Sequence, residues 1–218
     1  MAIKIQVLNN ILEINDNYAE ENRRLYEKNN TYVINMMSSP GAGKTTLLEH
    51  TLERLDPTEV AIIEGDMQTT KDAERLERFG APIVQINTGN ACHLDGKMIN
   101  DALKDILLDN LRLLVIENVG NLVCPAEFRV GEHAKVVVLS VTEGEDKPSK
   151  YPLMFRESAV CIISKIDLLP HLDFSLEEAI ENVRQINPQM KIIKLSCKTG
   201  EGMDEWMNWL QARMQGEK

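Results

Sequence analysis

The chain has 218 residues, of which 43% are hydrophobic and 27% are charged, as expected for a globular protein with a sizeable core. Its 34 acidic side chains outnumber its 24 basic ones, and the formal net charge of −10 argues against a general nucleic-acid-binding protein. The apolar runs are far shorter than the roughly 20 residues that cross a membrane, and because the amino-terminal stretch is polar we expect no signal peptide. We therefore expect a cytoplasmic protein without nucleic-acid or membrane partners, whose four cysteines stay reduced.

The first predicted element is a long amphipathic helix over residues 2–28, in which apolar residues recur at intervals of three, four and seven. Such a helix packs along the side of its own domain, or it docks on a partner or a second copy, and the pattern leaves both open. We assign residues 1–30 to this helix and residues 31–218 to a single domain.

From residue 32 onward, short β-branched runs alternate with helical patterns, which is the signature of βαβ units. Seven strands are predicted: Tyr32–Met37, Val60–Ile63, Pro82–Asn87, Leu113–Glu117, Lys135–Val141, Ala159–Ser164 and Lys191–Ser196. Five further helices are predicted: Lys44–Leu55, Lys71–Phe79, His93–Leu107, Ser175–Ile186 and Gly202–Met214. The fold class is therefore α/β, with a mainly parallel twisted sheet of about seven strands and helices on both faces. In such sheets ligands bind beyond the carboxyl ends of the strands.

A glycine-rich loop joins the first strand to a helix, which is the context of a P-loop. The loop and the start of the helix comprise Ser39, Pro40, Gly41, Ala42, Gly43, Lys44, Thr45 and Thr46. Backbone N–H groups of such a loop surround phosphate oxygens, while Lys44 stabilises the transferring phosphoryl group and the Thr45 hydroxyl can coordinate Mg²⁺. Ser38 stands where the motif usually begins with glycine, and the Gly-x-Gly-Lys-Thr portion is intact. The sequence therefore predicts a P-loop NTPase fold.

Two carboxylates are candidates for the magnesium ion or the attacking water, because Mg²⁺ prefers oxygen ligands and neighbouring strand ends can supply them. The second strand ends in Glu64-Gly65-Asp66, and the fourth ends in Glu117-Asn118-Val119-Gly120. We predict that Asp66 and Glu117 fill this role and that the backbone N–H of Gly120 turns toward the γ-phosphate. The alternative is a helix cap or a solvated turn. Since neither segment supplies an obvious catalytic base, slow hydrolysis is expected.

A candidate base-binding element follows the sixth strand. Ser164-Lys165-Ile166-Asp167 resembles the Asn-Lys-x-Asp element of GTPases, with serine in place of asparagine. The Asp167 carboxylate can accept both N–H donors on the Watson–Crick edge of guanine, which adenine does not offer, and the Lys165 stem would cover one face of the base. Ser196, Cys197 and Lys198 resemble the last GTPase element, where a backbone N–H meets the guanine carbonyl. We therefore expect GTP and GDP as ligands, and a P-loop GTPase domain over residues 31–218.

Three soft-donor residues follow two of the predicted strands. Cys92 and His93 come after the third strand, and Cys124 comes shortly after Gly120. Thiolate and imidazole suit Zn²⁺ and Ni²⁺ rather than Mg²⁺. Two or three ligands fall short of a closed four-coordinate site, so sharing the site between two protomers is one solution. The spacing leaves open the alternative that these residues are buried cysteines and a capping histidine.

These motifs together resemble those of the hydrogenase nickel-incorporation GTPases, the HypB family of the SIMIBI class of P-loop GTPases. The resemblance covers about residues 32–209 and rests on five segments: Ser-Ser-Pro-Gly-Ala-Gly-Lys-Thr-Thr at 38–46, Glu-Gly-Asp at 64–66, Thr-Gly-Asn-Ala-Cys-His-Leu-Asp at 88–95, Glu-Asn-Val-Gly-Asn-Leu-Val-Cys-Pro at 117–125 and Val-Thr-Glu-Gly-Glu-Asp-Lys-Pro at 141–148. It implies GTP-dependent homodimerisation, slow GTP hydrolysis and delivery of Ni²⁺ to a hydrogenase large subunit with a small HypA-like metallochaperone. It also implies that Cys92, His93 and Cys124 bind Ni²⁺ or Zn²⁺ at the dimer interface.

Two other functions are open at this point. One is a related accessory GTPase that serves urease or a cobalamin enzyme, although the urease type would be expected to carry a Cys-Pro-His triplet where this chain has Ala91-Cys92-His93. The other is a binding module that senses nucleotide and whose cysteines are structural.

Overall fold

A seven-stranded parallel sheet forms the centre of the computed structural model, which describes residues 2–66 and 71–216 and the side chains from residue 10 onward. The strands are β1 Tyr32–Ser38, β2 Val60–Asp66, β3 Ile83–Asn87, β4 Leu113–Glu117, β5 Ala134–Ser140, β6 Val160–Ser164 and β7 Lys191–Lys194. Their order across the sheet is β3-β2-β4-β1-β5-β6-β7, and all neighbours pair in parallel. The α/β fold class and the parallel sheet predicted from the sequence are confirmed.

The helices connect the strands and cover the faces of the sheet. They are α1 Ala2–Lys28, α2 Lys44–Leu52, α3 Lys71–Glu77, α4 Gly96–Ala102, α5 Cys124–Glu127, α6 Lys147–Lys150, α7 Pro152–Glu157, α8 Leu176–Ile186 and α9 Met203–Met214, with 3₁₀ turns at Pro57–Glu59, Leu103–Asp105 and Ile166–His171. Of these elements, α5, α6, α7 and two of the 3₁₀ turns were not predicted, because segments of three to six residues are too short to show helical periodicity. The third turn, Leu103–Asp105, lies inside the helix predicted over His93–Leu107.

Several predicted boundaries are wrong, and one of them concerns the site. The helix predicted from His93 begins only at Gly96, because the Asp95 side chain accepts the N–H of Met98 at 2.8 Å and caps the helix there. His93 therefore lies in a loop next to Cys92. Strand β2 continues to Asp66 instead of ending at Ile63, and this extension pairs Glu64 with Glu117 of β4.

The central strands are buried along nearly their whole length, as parallel strands covered on both faces must be. On one face, the fully buried indole of Trp206 in α9 donates to the hydroxyl of Thr51 in α2 at 2.9 Å, which joins the last helix to the helix of the P-loop. The parallel arrangement places the carboxyl ends of all strands at one edge of the sheet, where the candidate site residues lie.

Helix α1 packs against its own chain through a buried face that includes Ala19 and Tyr26. Gly131 lies so close to this helix that an ideal Cβ atom would come within 2.5 Å of the Ala19 carbonyl oxygen. Ile11 and Ile14 point away from this face and remain 47% and 59% exposed. Helix α1 thus packs on its own chain, which is one of the two possibilities left open by the sequence, while part of its apolar pattern faces solvent. No helix within the described residues has the length and hydropathy needed to cross a membrane.

We expect Gly131→Ala to lower the free energy of unfolding by about 3 kcal/mol, because left-handed backbone strain adds to the steric conflict with α1. Gly80→Ala is the matched control, since Gly80 has a similar φ of +78° but no atom within 4 Å of an ideal Cβ position. The control should lose only about 1 kcal/mol. Denaturant unfolding measures both values, and equal losses would contradict the close approach of α1.

Candidate nucleotide and metal site

The P-loop is folded around its own lysine. Gly41 and Gly43 have φ values of +74° and +103°, and the helix α2 begins immediately after them with Lys44 and Thr45. The Lys44 ammonium donates to the Ser38 hydroxyl at 3.0 Å, so the serine at the unusual first position of the motif holds the lysine inside the loop. Both Lys44 and Thr45 are buried, and the start of α2 directs its partial positive charge toward the same cavity.

Glu117 reaches the P-loop from the end of β4. The Thr45 hydroxyl donates to Glu117 Oε1 at 2.8 Å, and the other carboxylate oxygen, Oε2, is buried without a hydrogen-bond partner in the described part of the chain. Burial raises the pKa of Glu117, whereas Lys44 and the Thr45 hydrogen bond lower it. The sequence analysis predicted that Thr45 and Glu117 lie near one another, and the structure shows them in direct contact.

Three more carboxylates lie near Glu117. One oxygen each of Glu64, Asp66 and Asp72 falls within 4.8 Å of the others. Burial, followed by the negative charges of Glu117, Asp66 and Asp72, raises the pKa of Glu64 to about 8. The sequence reasoning named Asp66 but gave no role to Glu64 or Asp72. The signal for Glu64 is its register, because it pairs directly with Glu117 across β2 and β4.

The oxygen-rich pocket fits a hard divalent cation such as Mg²⁺. Its donors are carboxylates and a threonine hydroxyl, which Mg²⁺ prefers over nitrogen or sulfur. Glu64 Oε2, like Glu117 Oε2, is buried and has no hydrogen-bond partner among the described residues. A cation would satisfy these two buried oxygens and offset the accumulated negative charge.

The segment after Glu117 contacts both the P-loop and the loop that carries Cys92 and His93. An ideal Cβ on Gly120 would lie 2.9 Å from the Cα of Pro40, so only glycine permits this approach. Asn118 is almost fully buried, and its Oδ1 accepts the N–H groups of Leu94 at 3.0 Å and Val119 at 3.0 Å. Its side-chain amide donates to Asn35 Oδ1 in β1 at 3.1 Å. The phosphate region and the Cys92–His93 loop are therefore joined by one side chain.

The candidate base-binding residues lie beside the P-loop. Ser164, where the GTPase element usually has asparagine, donates to the Ala42 carbonyl at 2.7 Å, and Lys165 donates to the Gly41 carbonyl at 2.7 Å. Lys165 adopts a left-handed conformation, with φ +60°, that directs its side chain across the loop. These contacts attach the end of β6 to the phosphate-binding backbone.

Asp167 is oriented by the last predicted GTPase element. The Ser196 hydroxyl donates to Asp167 Oδ1 at 2.6 Å, while Lys198 Nζ lies 3.9 Å from Oδ2. Cys197 contributes its side chain to the core, where burial raises the pKa of its thiol to about 11. The structure thus brings Asp167, Ser196, Cys197 and Lys198 together. Thr46, at the other side of the P-loop, accepts a hydrogen bond from Arg75 of α3.

Cys92, His93 and Cys124 meet at the same edge of the sheet. The two Sγ atoms are 3.0 Å apart, Cys92 Sγ lies 3.8 Å from His93 Nδ1, and one candidate ligand atom from each residue lies within 4.8 Å of the others. The contact with Cys92 raises the pKa of Cys124 to about 11, and burial lowers the pKa of His93, which favours the neutral imidazole that binds metals. All three residues are partly exposed.

Two neighbouring contacts support this trio. The ring of Phe128 lies 4.0 Å from that of His93, centroid to centroid. The buried ammonium of Lys135 donates to the Ala126 carbonyl at 2.7 Å and so attaches α5, which begins at Cys124, to β5. The partial exposure of all three residues disfavours the alternative that they are buried structural residues.

The cavity between the P-loop and the acidic residues has a volume of about 380 Å³. A larger one of about 990 Å³ lies at the opposite end of the sheet and includes Tyr32, His133 and Trp209. There His133 Nδ1 accepts the N–H of Val33 at 3.0 Å, and burial lowers the pKa of His133 to about 4. Because the P-loop residues line the smaller cavity, that cavity is the candidate nucleotide site despite its size.

Comparisons with known proteins agree with these features. The model of the CobW/HypB/UreG nucleotide-binding domain matches residues 32–194. The hydrogenase maturation factor HypB of Escherichia coli strain K12 is 51% identical over 210 residues, which span 96% of this chain and 72% of that protein.

Two solved structures are similar to this one over most of their length. The crystal structure of HypB from Helicobacter pylori in complex with nickel has a TM-score of 0.87 and 39% identity, covering 93% of this chain and 95% of that one. HypB from Archaeoglobus fulgidus also gives a TM-score of 0.87 and 39% identity, with 93% and 100% coverage.

We expect the substitution Glu64→Gln to change the pH dependence of stability. The folded wild type keeps the Glu64 proton up to about pH 8, whereas an unfolded chain releases it near the ordinary pKa of 4.5, so stability falls as the pH rises between these values. Glutamine removes this loss, and the variant should gain stability relative to the wild type from pH 5 to about pH 8. Denaturant unfolding of the nucleotide-free protein measures this gain. The control is Glu77→Gln on the exposed face of α3, and parallel pH profiles for all three proteins would contradict the role of Glu64.

Proposed function

The chain belongs to the HypB group of the CobW/HypB/UreG family, and from this premise we propose how it serves hydrogenase maturation as a nickel-handling GTPase. GTP binds at the P-loop and at Asp167, while nickel is a cargo bound by Cys92, His93 and Cys124. The observation that carries the proposal is Asn118, whose hydrogen bonds join the segment of Glu117 to the loop of Cys92 and His93. Nucleotide and nickel therefore act on one connected structure.

The nickel site is completed by a second protomer. Two thiols and one imidazole leave a four-coordinate Ni²⁺ with an open position, and their partial exposure makes them accessible to another chain. Pairing of two protomers across this edge would supply further thiolates from the symmetric site. We propose that GTP favours this homodimer and that GDP disfavours it. The chain then passes nickel to the hydrogenase large subunit with a HypA-like metallochaperone.

Coupling between the two ligands follows from shared contacts. Gly120 touches Pro40 of the P-loop, and Cys124 follows a few residues later. A γ-phosphate that draws the Gly120 N–H would therefore move the segment that leads to Cys124. The thermodynamic requirement is that GTP and nickel each bind more tightly to the dimer than to the separated protomers.

Hydrolysis relies on charge and position. Lys44 stabilises the transferring phosphoryl group, and the carboxylates of Asp66 and Glu117 orient the attacking water or bind the cation. A Mg²⁺ ion held by Thr45, Asp66 and Glu117 would neutralise charge on the β- and γ-phosphates. The buried Glu64 beside Glu117 keeps the carboxylate cluster partly protonated before the cation binds.

The alternative functions are not favoured. The Escherichia coli and Archaeoglobus fulgidus relatives named above are hydrogenase maturation factors, which supports hydrogenase as a client. A binding module with purely structural cysteines does not account for two adjacent thiols and an imidazole at a partly exposed edge.

The shared nickel site is tested by Cys124→Ala. We expect the wild type with a slowly hydrolysed GTP analogue to bind one Ni²⁺ per two protomers and the variant to lose this binding, because two of its ligands are removed. Equilibrium dialysis with analytical ultracentrifugation measures the stoichiometry and the dimer. Cys161→Ala is the control, since that thiol is fully buried in β6 and has no role in either site, so nickel binding should stay intact. Unchanged binding in Cys124→Ala would refute the shared site.

Guanine recognition is tested by Asp167→Asn. The asparagine Oδ1 can still accept from Ser196, which leaves an NH₂ donor facing the N–H donors of guanine. We expect GTP affinity to fall about a hundredfold, or about 3 kcal/mol, and xanthosine triphosphate affinity to rise, since xanthine offers an acceptor at the same position. Competition against a fluorescent GDP measures both. Asp173→Asn, an exposed neighbour, should change neither, and a variant that favours no xanthine nucleotide would contradict the role of Asp167.

A further inference from the structure

Two buried asparagines of α1 each hydrogen-bond two distant segments of the chain. Asn15 Oδ1 accepts the N–H of Gly96 at 2.7 Å, and its amide donates to the Arg129 carbonyl at 2.9 Å. Asn22 donates to the carbonyls of Gly96 at 2.8 Å and Val130 at 3.3 Å. Each side chain therefore spans the gap between residue 96 and residues 129–130.

The two segments are those that carry the candidate metal ligands. Gly96 is the first residue of α4 and comes directly after the loop that contains Cys92 and His93. Helix α5 begins at Cys124, and the residues that follow it are Phe128, Arg129 and Val130. The asparagines thus hold the ends of both metal-bearing loops to one rigid helix.

The orientation of these side chains is determined by their surroundings. Asn15 is 6% exposed and Asn22 is fully buried, so an unpaired amide there would be costly. Asn100 donates to Asn22 Oδ1 at 2.9 Å, which leaves the NH₂ group of Asn22 to face both loop carbonyls. An ideal Cβ on Gly96 would lie 2.8 Å from the Asn15 carbonyl oxygen, so glycine allows the loop to approach the backbone of α1.

We propose that α1 is part of the metal-binding apparatus, and that Asn15 and Asn22 are positioning residues that fix the separation between the loop of Cys92 and His93 and the loop of Cys124. For nickel as the ligand, this inference rests on the proposed function above. Metal–thiolate bonds have narrow length limits, so a small change in the spacing of the two loops alters the fit of both thiols to one ion.

The spacing of the thiols is tested first without metal. Phenylarsine oxide condenses with two neighbouring thiols and releases water, so its bridging rate reports whether Cys92 and Cys124 stay together. We expect Asn15→Ala and Asn22→Ala to slow bridging about tenfold, because the loops lose their common support. Mass spectrometry of the peptides identifies the bridged pair.

The design of the variants separates positioning from stability. Asn15→Asp keeps the acceptor for the Gly96 N–H but loses the donor to the Arg129 carbonyl, so it should behave like Asn15→Ala. Asn187 provides a matched control, since its amide also bonds carbonyls, those of Phe155, Arg156 and Ser158, but in another part of the fold. Asn187→Ala should be destabilised yet keep wild-type bridging. Asn17→Ala, exposed on α1, controls for changes to the helix itself.

Nickel binding gives the second readout. In the presence of the GTP analogue, Asn15→Ala and Asn22→Ala should bind Ni²⁺ about ten- to a hundredfold more weakly and show an altered thiolate-to-nickel charge-transfer absorption. Their GDP affinity should stay at the wild-type value, which also shows that they are folded.

The outcomes distinguish this inference from the proposed function. Wild-type bridging in Asn15→Ala, Asn15→Asp and Asn22→Ala would overturn the positioning role, as would an equal loss in Asn187→Ala. If Asn22→Ala does not fold, the two Asn15 variants decide. If the wild type fails to bind nickel through Cys124, the proposed function fails, while the arsenical result still shows whether α1 sets the spacing of the thiols.

Discussion

The buried side-chain amide of Asn118 is the interaction on which the arrangement of the site depends. Its oxygen accepts the N–H groups of Leu94 and Val119, and its nitrogen donates to Asn35 in the strand that leads to the P-loop. A single amide can make these bonds at once because it has one acceptor with two lone pairs and two donors. The strand of the P-loop, the end of β4 and the loop of Cys92 and His93 are thereby fixed to one another where no regular sheet pairing joins all three.

The parallel sheet explains why so much negative charge accumulates at this edge. Carboxylates at the ends of β2 and β4 are forced into register, and Glu64 and Glu117 become direct neighbours under a buried lysine. Burial opposes the ionisation of both groups, and the charge of Glu117 further opposes that of Glu64, which is a cost for the nucleotide-free protein. The same unfavourable electrostatics would favour a bound cation. The cluster therefore lowers the stability of the ligand-free protein and strengthens cation binding.

Sequence reasoning identified the parts of the site that lie in short contiguous motifs. Lys44, Asp167 and the trio of Cys92, His93 and Cys124 each follow a strand, and a parallel sheet brings strand ends to one edge. The role of Glu64 was missed because cross-strand register is not visible in one sequence. Asp72 follows no strand, so nothing in its pattern pointed to the same edge.

The asparagines of α1 were missed for a different reason. Polar residues in an amphipathic helix are usually assigned to its solvated face. Asn15 and Asn22 are instead buried, and their polar groups are satisfied by backbone groups about a hundred residues away in the chain. No local sequence pattern reveals such partners. Only the tertiary structure shows that these polar positions belong to the packed face, and that the exposed positions of the helix include Ile11 and Ile14.

The short contact between Cys92 and Cys124 has a consequence for how cargo is exchanged. Two thiols in contact resist losing their protons, and the pKa of Cys124 rises to about 11. Nickel binds thiolates, so under the proposed function loading would expel protons from this pair and unloading would take them up again. Binding of the metal at the proposed site would thus exchange one dication for protons, and its release would require a source of protons at this edge of the sheet.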